Sequence, residues 1–334
     1  MHDGAWYGAE RHSAALGGHK RLNSAARGRP ATRYVVVRMS VALVSDSTHY
    51  LPASALEGHE LHTVPLWLVE DGQATREDLI GDWTELYRAL RAGERSLSTS
   101  QPSVGEFLER YEPLLEAGRD IVSVHITTGM SGTVETARQA REAALEQFPD
   151  RTIEIVDSGS TAGGLALVVA AAIRAAEQGK SAAEVAAAAD EASRTMKVRF
   201  GLDTLDYLRR GGRVGRAQGL LGSTLQIRPI LKLDGGPGSV NETVEKIRTS
   251  SKMRQRLLKF FDEFAAEGLE GWMVMHIMVP EIVEEFAEVG RSVIGTDPLA
   301  ICEAGPVVGA HTGPGMIGVA AAPARLVGTG KLGA

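Results

Sequence analysis

The chain has 334 residues, 43% hydrophobic and 23% charged, with 36 Lys and Arg against 42 Asp and Glu. That size gives one large or two medium domains with a core that stands without disulfides, and the single cysteine agrees. The formal charge of −6 argues against bulk nucleic-acid binding, which needs a basic footprint, and no apolar run reaches the roughly 18 residues that span a bilayer.

Residues 1–38 contain Gly, Arg and His with little apolar periodicity before Tyr34-Val35-Val36-Val37. They lack the apolar core of a signal peptide. The segment reads as a disordered tail or as a start placed too early, with Met39 the natural beginning; a functional basic tail is the alternative. The expected location is cytoplasmic.

From there the elements follow in order. Val41-Ala42-Leu43-Val44 is a buried strand running into the capping cluster Ser45-Asp46-Ser47-Thr48. Residues 64–69 read as a second strand, ended by Asp71-Gly72. Residues 82–90 and 104–115 have helical spacing, and Ser103 with Glu106 forms a capping box. A strand at 120–126, a helix at 131–146, a strand at 152–156 and alanine-rich helices at 162–177 and 181–194 complete the first half. Strands separated by helices of this length give a parallel sheet with helical crossovers. Ligands in such sheets sit beyond the carboxyl ends of the strands. The turns at Ser45, at Thr127 to Ser131 and at Asp157 to Ser160 are therefore expected on one rim.

The texture changes near residue 195. A strand at 199–202, a short helix at 205–210, a hairpin of 229–233 with 242–247 around Asp234-Gly235-Gly236, a long amphipathic helix at 250–267 and strands at 271–278 and 299–304 are expected. The resulting division is 1–38, an N-terminal α/β domain at 39–195, a C-terminal α/β domain at 196–322 and a tail at 323–334. Cys302 lies in an apolar run and reads as a buried structural thiol.

Four polar constellations could carry chemistry. Thr99-Ser100-Gln101 precedes the Ser103 cap and has no local role of its own. Gly129-Met130-Ser131-Gly132-Thr133 places a serine between glycines at a helix start, which favours anions; it lacks the Gly-Lys-Ser/Thr of a nucleotide loop, and simple N-capping by Ser131 is the plain alternative. Arg209, Arg210, Arg213 and Arg216 fall within eight residues among glycines, and the arginine fork suits oxyanions. Gly305 to Gly318 holds His311 and Thr312 in a segment that reads as a glycine- and proline-rich loop. His59 and His62 lie close together without a third ligand, so surface histidines account for them, and neither a metal nor another cofactor is expected.

Together these segments resemble the DegV family, bacterial fatty-acid-binding proteins that serve as the lipid-carrying subunit of fatty acid kinase. The matching pieces are Val44 to Thr48, Thr99 to Ser103, Gly129 to Thr133, Asp203 to Leu208 with Gly211 to Gly215, and Gly309 to Gly315, in family order from about Ser40 to Ala322. The front extension and His49 depart from the pattern. The resemblance implies a two-domain α/β fold with one long-chain fatty acid buried between the domains. It implies that Thr99, Ser131 and His311 hydrogen-bond the carboxylate, with Ser100, Gly132 and Thr312 beside them. It also implies a non-catalytic role: a separate ATP-binding kinase subunit phosphorylates the carboxylate for phospholipid synthesis, with Arg213 and Arg248 near that partner or the new phosphate. The tail is expected among apolar residues of the first domain, with the helix at 163–172 as a wall.

Two other classes compete. Ser131, His311 and Asp157 can be drawn as a hydrolase triad, although no Gly-x-Ser-x-Gly elbow is present. A carrier of another amphipathic carboxylate or phosphate ester is the second.

Overall fold

The computed structural model describes residues 40–220 and 227–332. The expectation for 1–38 lies outside these residues.

Strand β1 (Val41–Asp46) is buried throughout. The strand expected at 64–69 is two strands, because Pro65 offers no N–H to a ladder. β2 (His62–Val64) pairs parallel with β1, whereas β3 (Trp67–Glu70) turns away and pairs antiparallel with β4 (Gln73–Arg76). Asp71 and Gly72 link β3 to β4 with φ of 48° and 78°, the two positive values a tight hairpin needs. Helix α1 (Trp83–Ala92) starts at the Asp82 cap and ends at Gly93. β5 (Ser98–Ser100) joins β3, and α2 (Val104–Glu116) opens on the expected Ser103–Glu106 capping box.

β6 (Asp120–His125), α3 (Thr133–Gln147), β7 (Ile153–Asp157), α4 (Gly163–Glu177) and α5 (Ala182–Thr195) complete this part. The four-stranded sheet runs β2-β1-β6-β7 with every pairing parallel. α4 is buried on nearly every side. It packs against β1 and β6 of this sheet and against three strands of a second sheet.

The second sheet is built after residue 196 from β8 (Lys197–Gly201), α6 (Asp206–Arg210), β9 (Arg228–Lys232) and β10 (Glu242–Ile247), followed by α7 (Ser250–Leu258) and α8 (Phe260–Ala266). The single helix expected at 250–267 breaks at Lys259. Phe260, Phe261 and Phe264 then all reach a separate core around Trp272. β11 (Gly271–His276), α9 (Pro280–Ile294), β12 (Ala300–Glu303), α10 (Pro306–Thr312), β13 (Ile317–Ala322) and α11 (Ala324–Val327) finish the chain. Six strands run in the order β10-β9-β8-β13-β11-β12; the β11–β12 pair is parallel and the others are antiparallel.

Two further expectations are corrected. Residues 323–332 are not a tail: Leu326, Val327 and Leu332 are buried in the main core. The segment around His311 is not a loop. Pro306 starts a helix where a missing N–H costs nothing, and Gly313 ends it at φ 75°.

Candidate functional site

The rim expected from the sequence is present. Asp46, at the end of β1, is fully buried. Its carboxylate accepts from the N–H of Thr48 at 3.0 Å and of Ile126 at 2.8 Å, and lies 3.2 Å from His125 Nδ1. Burial alone would raise the Asp46 pKa; the His125 contact and the Thr48 and Ile126 bonds outweigh it and hold it below the usual value. At the end of β7, Asp157 accepts from Thr128 N–H at 3.1 Å, Thr128 Oγ1 at 2.6 Å and Gly238 N–H at 3.0 Å. These two carboxylates fix the loop after β6, which carries Ser131.

Thr99 sits on β5 opposite Leu68. His311 lies in the last turn of α10, and the two side chains meet with Thr99 Oγ1 2.8 Å from His311 Nε2. Ser131 Oγ lies 2.8 Å from Thr133 Oγ1 and accepts from the Thr133 N–H at 3.3 Å. The N-cap of α3 is Gly132, not Ser131, so the serine hydroxyl is set one residue ahead of the cap. Gly132 lies against Gln101: a Cβ there would stand 2.2 Å from Gln101 Oε1.

Thr99, Ser131 and His311 line one cavity of about 220 Å³, together with Ser100, Gln101, Thr312 and Arg213. Gly132 and Arg248 are not in its wall; Arg248 is exposed after β10. Apart from Thr161 and Asn241 the rest of the wall is apolar, with Leu66, Phe200, Leu233, Met275, Val307 and Met316 prominent. This corrects the expected location of the wall. Most of its apolar residues follow residue 196, on or beside the second sheet, α6 and α10, and the 163–172 stretch is not in the lining although Thr161 and Ala162 just before it are.

Arg213 is the one charged side chain among the described lining residues. Its Nε donates to Met130 O at 3.1 Å and its Nη1 to Gly211 O at 2.6 Å, bridging the Ser131 loop to the strap over His311. Burial, with Arg213 second, pushes the His311 pKa down to about 4, so the ring is neutral at physiological pH. His311 Nδ1 is buried without a hydrogen-bond partner among the described residues.

The hydrolase alternative is not assembled. Asp157 is spent on the Thr128 and Gly238 contacts, and the partner found for His311 is Thr99. His59 faces Glu177 and the Leu332 carbonyl, and His62 faces Glu60. Cys302 is buried, which pushes its thiol up to about 12. Sequence reasoning missed Thr161 and Asn241, which also line the cavity. Both sit in polar turns among many others, and nothing in their spacing marks them.

A family model described as "Uncharacterised protein, DegV family" matches residues 40–324. The chain belongs to the DegV family. A DegV domain-containing protein of Streptomyces coelicolor is 39% identical over 282 residues, covering 84% of this chain and 97% of its own length. The crystal structure of a stearic-acid-binding protein from Eubacterium ventriosum matches with a TM-score of 0.77 at 26% identity, over 85% of this chain and 98% of that one. A DegV family protein from Thermus thermophilus, described by its fatty acid binding, matches with a TM-score of 0.73 at 31% identity, over 85% and 99%. Among the described residues of this DegV protein, no helix is long and apolar enough to cross a membrane.

Proposed function

We propose that this chain binds a long-chain fatty acid in the cavity, with the carboxylate at Thr99, Ser131 and His311, and presents it to a separate ATP-dependent kinase subunit. The observation that carries the reading is that three polar side chains distant in sequence line one largely apolar cavity, Thr99 in contact with His311, with a single arginine among the described lining residues. The fatty-acid-binding relatives support it.

The chemistry divides accordingly. Each buried methylene contributes about 0.8 kcal/mol, so a chain of about 16 carbons supplies on the order of 10 kcal/mol before the costs of association. The head group then needs orientation more than affinity, which the hydroxyls and the His311 imidazole provide. In the partner's reaction, a carboxylate oxygen forms a bond to the γ-phosphorus of ATP as the bond to ADP breaks. The acyl phosphate that results is open to attack by amines and water, and the described lining contains no lysine. Arg213 supplies the charge that favours both carboxylate and phosphate. Arg248, outside the cavity, is assigned to the partner's side.

Gentle extraction of the purified protein and mass spectrometry of the extract test the binding claim: a fatty acid near one equivalent is expected, and a clean protein that ignores added fatty acids overturns it. ATP and a separate kinase subunit test the second claim. Acyl phosphate is expected only when both proteins are present.

A further inference from the structure

α10 is a short helix, seven residues long, and it carries both His311 and part of the cavity wall. So short a helix is not stable alone in water and needs external anchors. The anchors lie far away in sequence. Glu77, just after β4, is 3% exposed. Its Oε1 accepts from the Val307 N–H at 2.8 Å and from the Tyr50 hydroxyl at 2.7 Å, and its Oε2 accepts from Ser47 Oγ at 2.5 Å. The Tyr50 oxygen in turn accepts from the Val308 N–H at 3.2 Å. Tyr87 donates to Ala304 O at 2.7 Å. The first orphan N–H groups of α10 are therefore met by one carboxylate and one phenol.

The fit is close enough to require glycine twice. A Cβ on Gly305 would lie 2.6 Å from Tyr50 Cε1 and 2.8 Å from Glu77 Oε1, and one on Gly309 would lie 2.2 Å from Tyr87 Cε1. Burial pushes the Glu77 carboxyl above its ordinary value, so holding it there has a cost. A leucine at this position would avoid that cost but could not accept from the helix start.

We infer that Glu77 is a positioning residue for the head-group site: through Tyr50 and the Val307 N–H it fixes α10, and so holds the His311 ring against Thr99. The inference rests on the reading of the site given above and adds a residue that touches no ligand.

The test uses the delipidated full-length chain, with histidine-labelled NMR spectra and titration of [1-13C]stearate. Glu77→Ala is expected to shift the His311 ring signals and to weaken stearate about tenfold. Glu77→Gln keeps the Oε1 acceptor and is expected to restore binding to within about threefold. Leu114→Ala, in the core cluster of α2, lowers the melting temperature without moving either readout. Should Glu77→Ala not fold, Tyr50→Phe decides, since it removes one hydroxyl from the same clasp; a smaller change in the same direction is expected. Ring signals and affinity identical to wild type in whichever variant folds would overturn the inference. If wild type ignores stearate, the fatty-acid reading fails, while the His311 signals still decide the role of Glu77.

Discussion

Replacing Gly211 with alanine probes the His311 contact through a residue outside the cavity wall. Gly211 has φ −78° and ψ −6°, an ordinary helical conformation that alanine adopts freely. The perturbation is therefore steric. A Cβ there would stand 2.0 Å from His311 Nδ1 and 2.8 Å from Cε1. Normal contact needs about 3.5 Å, so the ring must retreat by about 1.5 Å. A shift of that size breaks the 2.8 Å approach of His311 Nε2 to Thr99 Oγ1. Overpacking costs about 1–3 kcal/mol of stability. Loss of a hydrogen bond to a charged head group costs about 1.5–3 kcal/mol of binding, or ten- to a hundredfold in Kd. The assay is calorimetric titration of fatty acid into delipidated protein, run as a double-mutant cycle with His311→Ala. Without the imidazole the atoms nearest the new methyl are gone, so Gly211→Ala should change binding by less than about 0.5 kcal/mol in that background. Equal penalties in both backgrounds would refute the idea that Gly211 acts through His311.

Affinity for fatty acid should rise as the pH is lowered from 7.5 toward 5.5. The free-state pKa of His311, about 4, is depressed by burial and by Arg213; a bound carboxylate opposes both, so binding takes up a proton, and a flat profile in wild type would contradict this. His311→Gln should flatten the dependence. Arg213→Ala should slow partner-dependent phosphorylation more than it weakens fatty-acid binding, whereas Arg248→Ala should leave binding untouched; steady-state kinetics with separately measured Kd values distinguish the two. Asp46→Asn should destabilise the fold by about 3 kcal/mol or more, since it strips a buried carboxylate from its His125 and N–H partners. The depressed Asp46 pKa stabilises the fold above the unfolded value of 3.8, and that contribution is lost as pH falls through the lower folded value. Urea titrations between pH 2 and 6 should therefore show a shallower acid limb in Asp46→Asn.

The first half of the chain was legible because its signals are local. Strand, cap and crossover alternate in β1, β6, β7 and their helices, and the Ser103–Glu106 box was readable as written. What escaped depended on partners. β13, with its alanines, carries a helix former's composition, yet it lies between β8 and β11 and is a strand because both neighbours pair with it. α9 did have a local signal, with Val283, Phe286, Ala287 and Gly290 all buried at helical spacing. Thr99, Ser131 and His311 were visible in polar or glycine-rich segments, Thr99 without a local role and Ser131 with a plain capping alternative, but the apolar lining was not. Phe200, Met275 and Met316 look like any other core residue until the fold leaves a space beside them.

That space follows from the topology. α4 packs against both sheets, so a core extends from one to the other with few layers free to slide. The cavity lies past its N-terminus, where Thr161 and Ala162 reach the lining. Ala162 holds φ 48° and ψ −127°, a conformation rarely open to a residue with a Cβ. Its N–H donates to Thr48 O at 2.9 Å, on the same rim that Asp46 organises. The strain is thus retained by the network that also sets the Ser131 loop. Relaxing it would move the floor of the cavity together with its polar end. On the fatty-acid reading, a head group held by hydroxyls, an imidazole and Arg213 tolerates little such movement, because hydrogen bonds weaken steeply with misalignment.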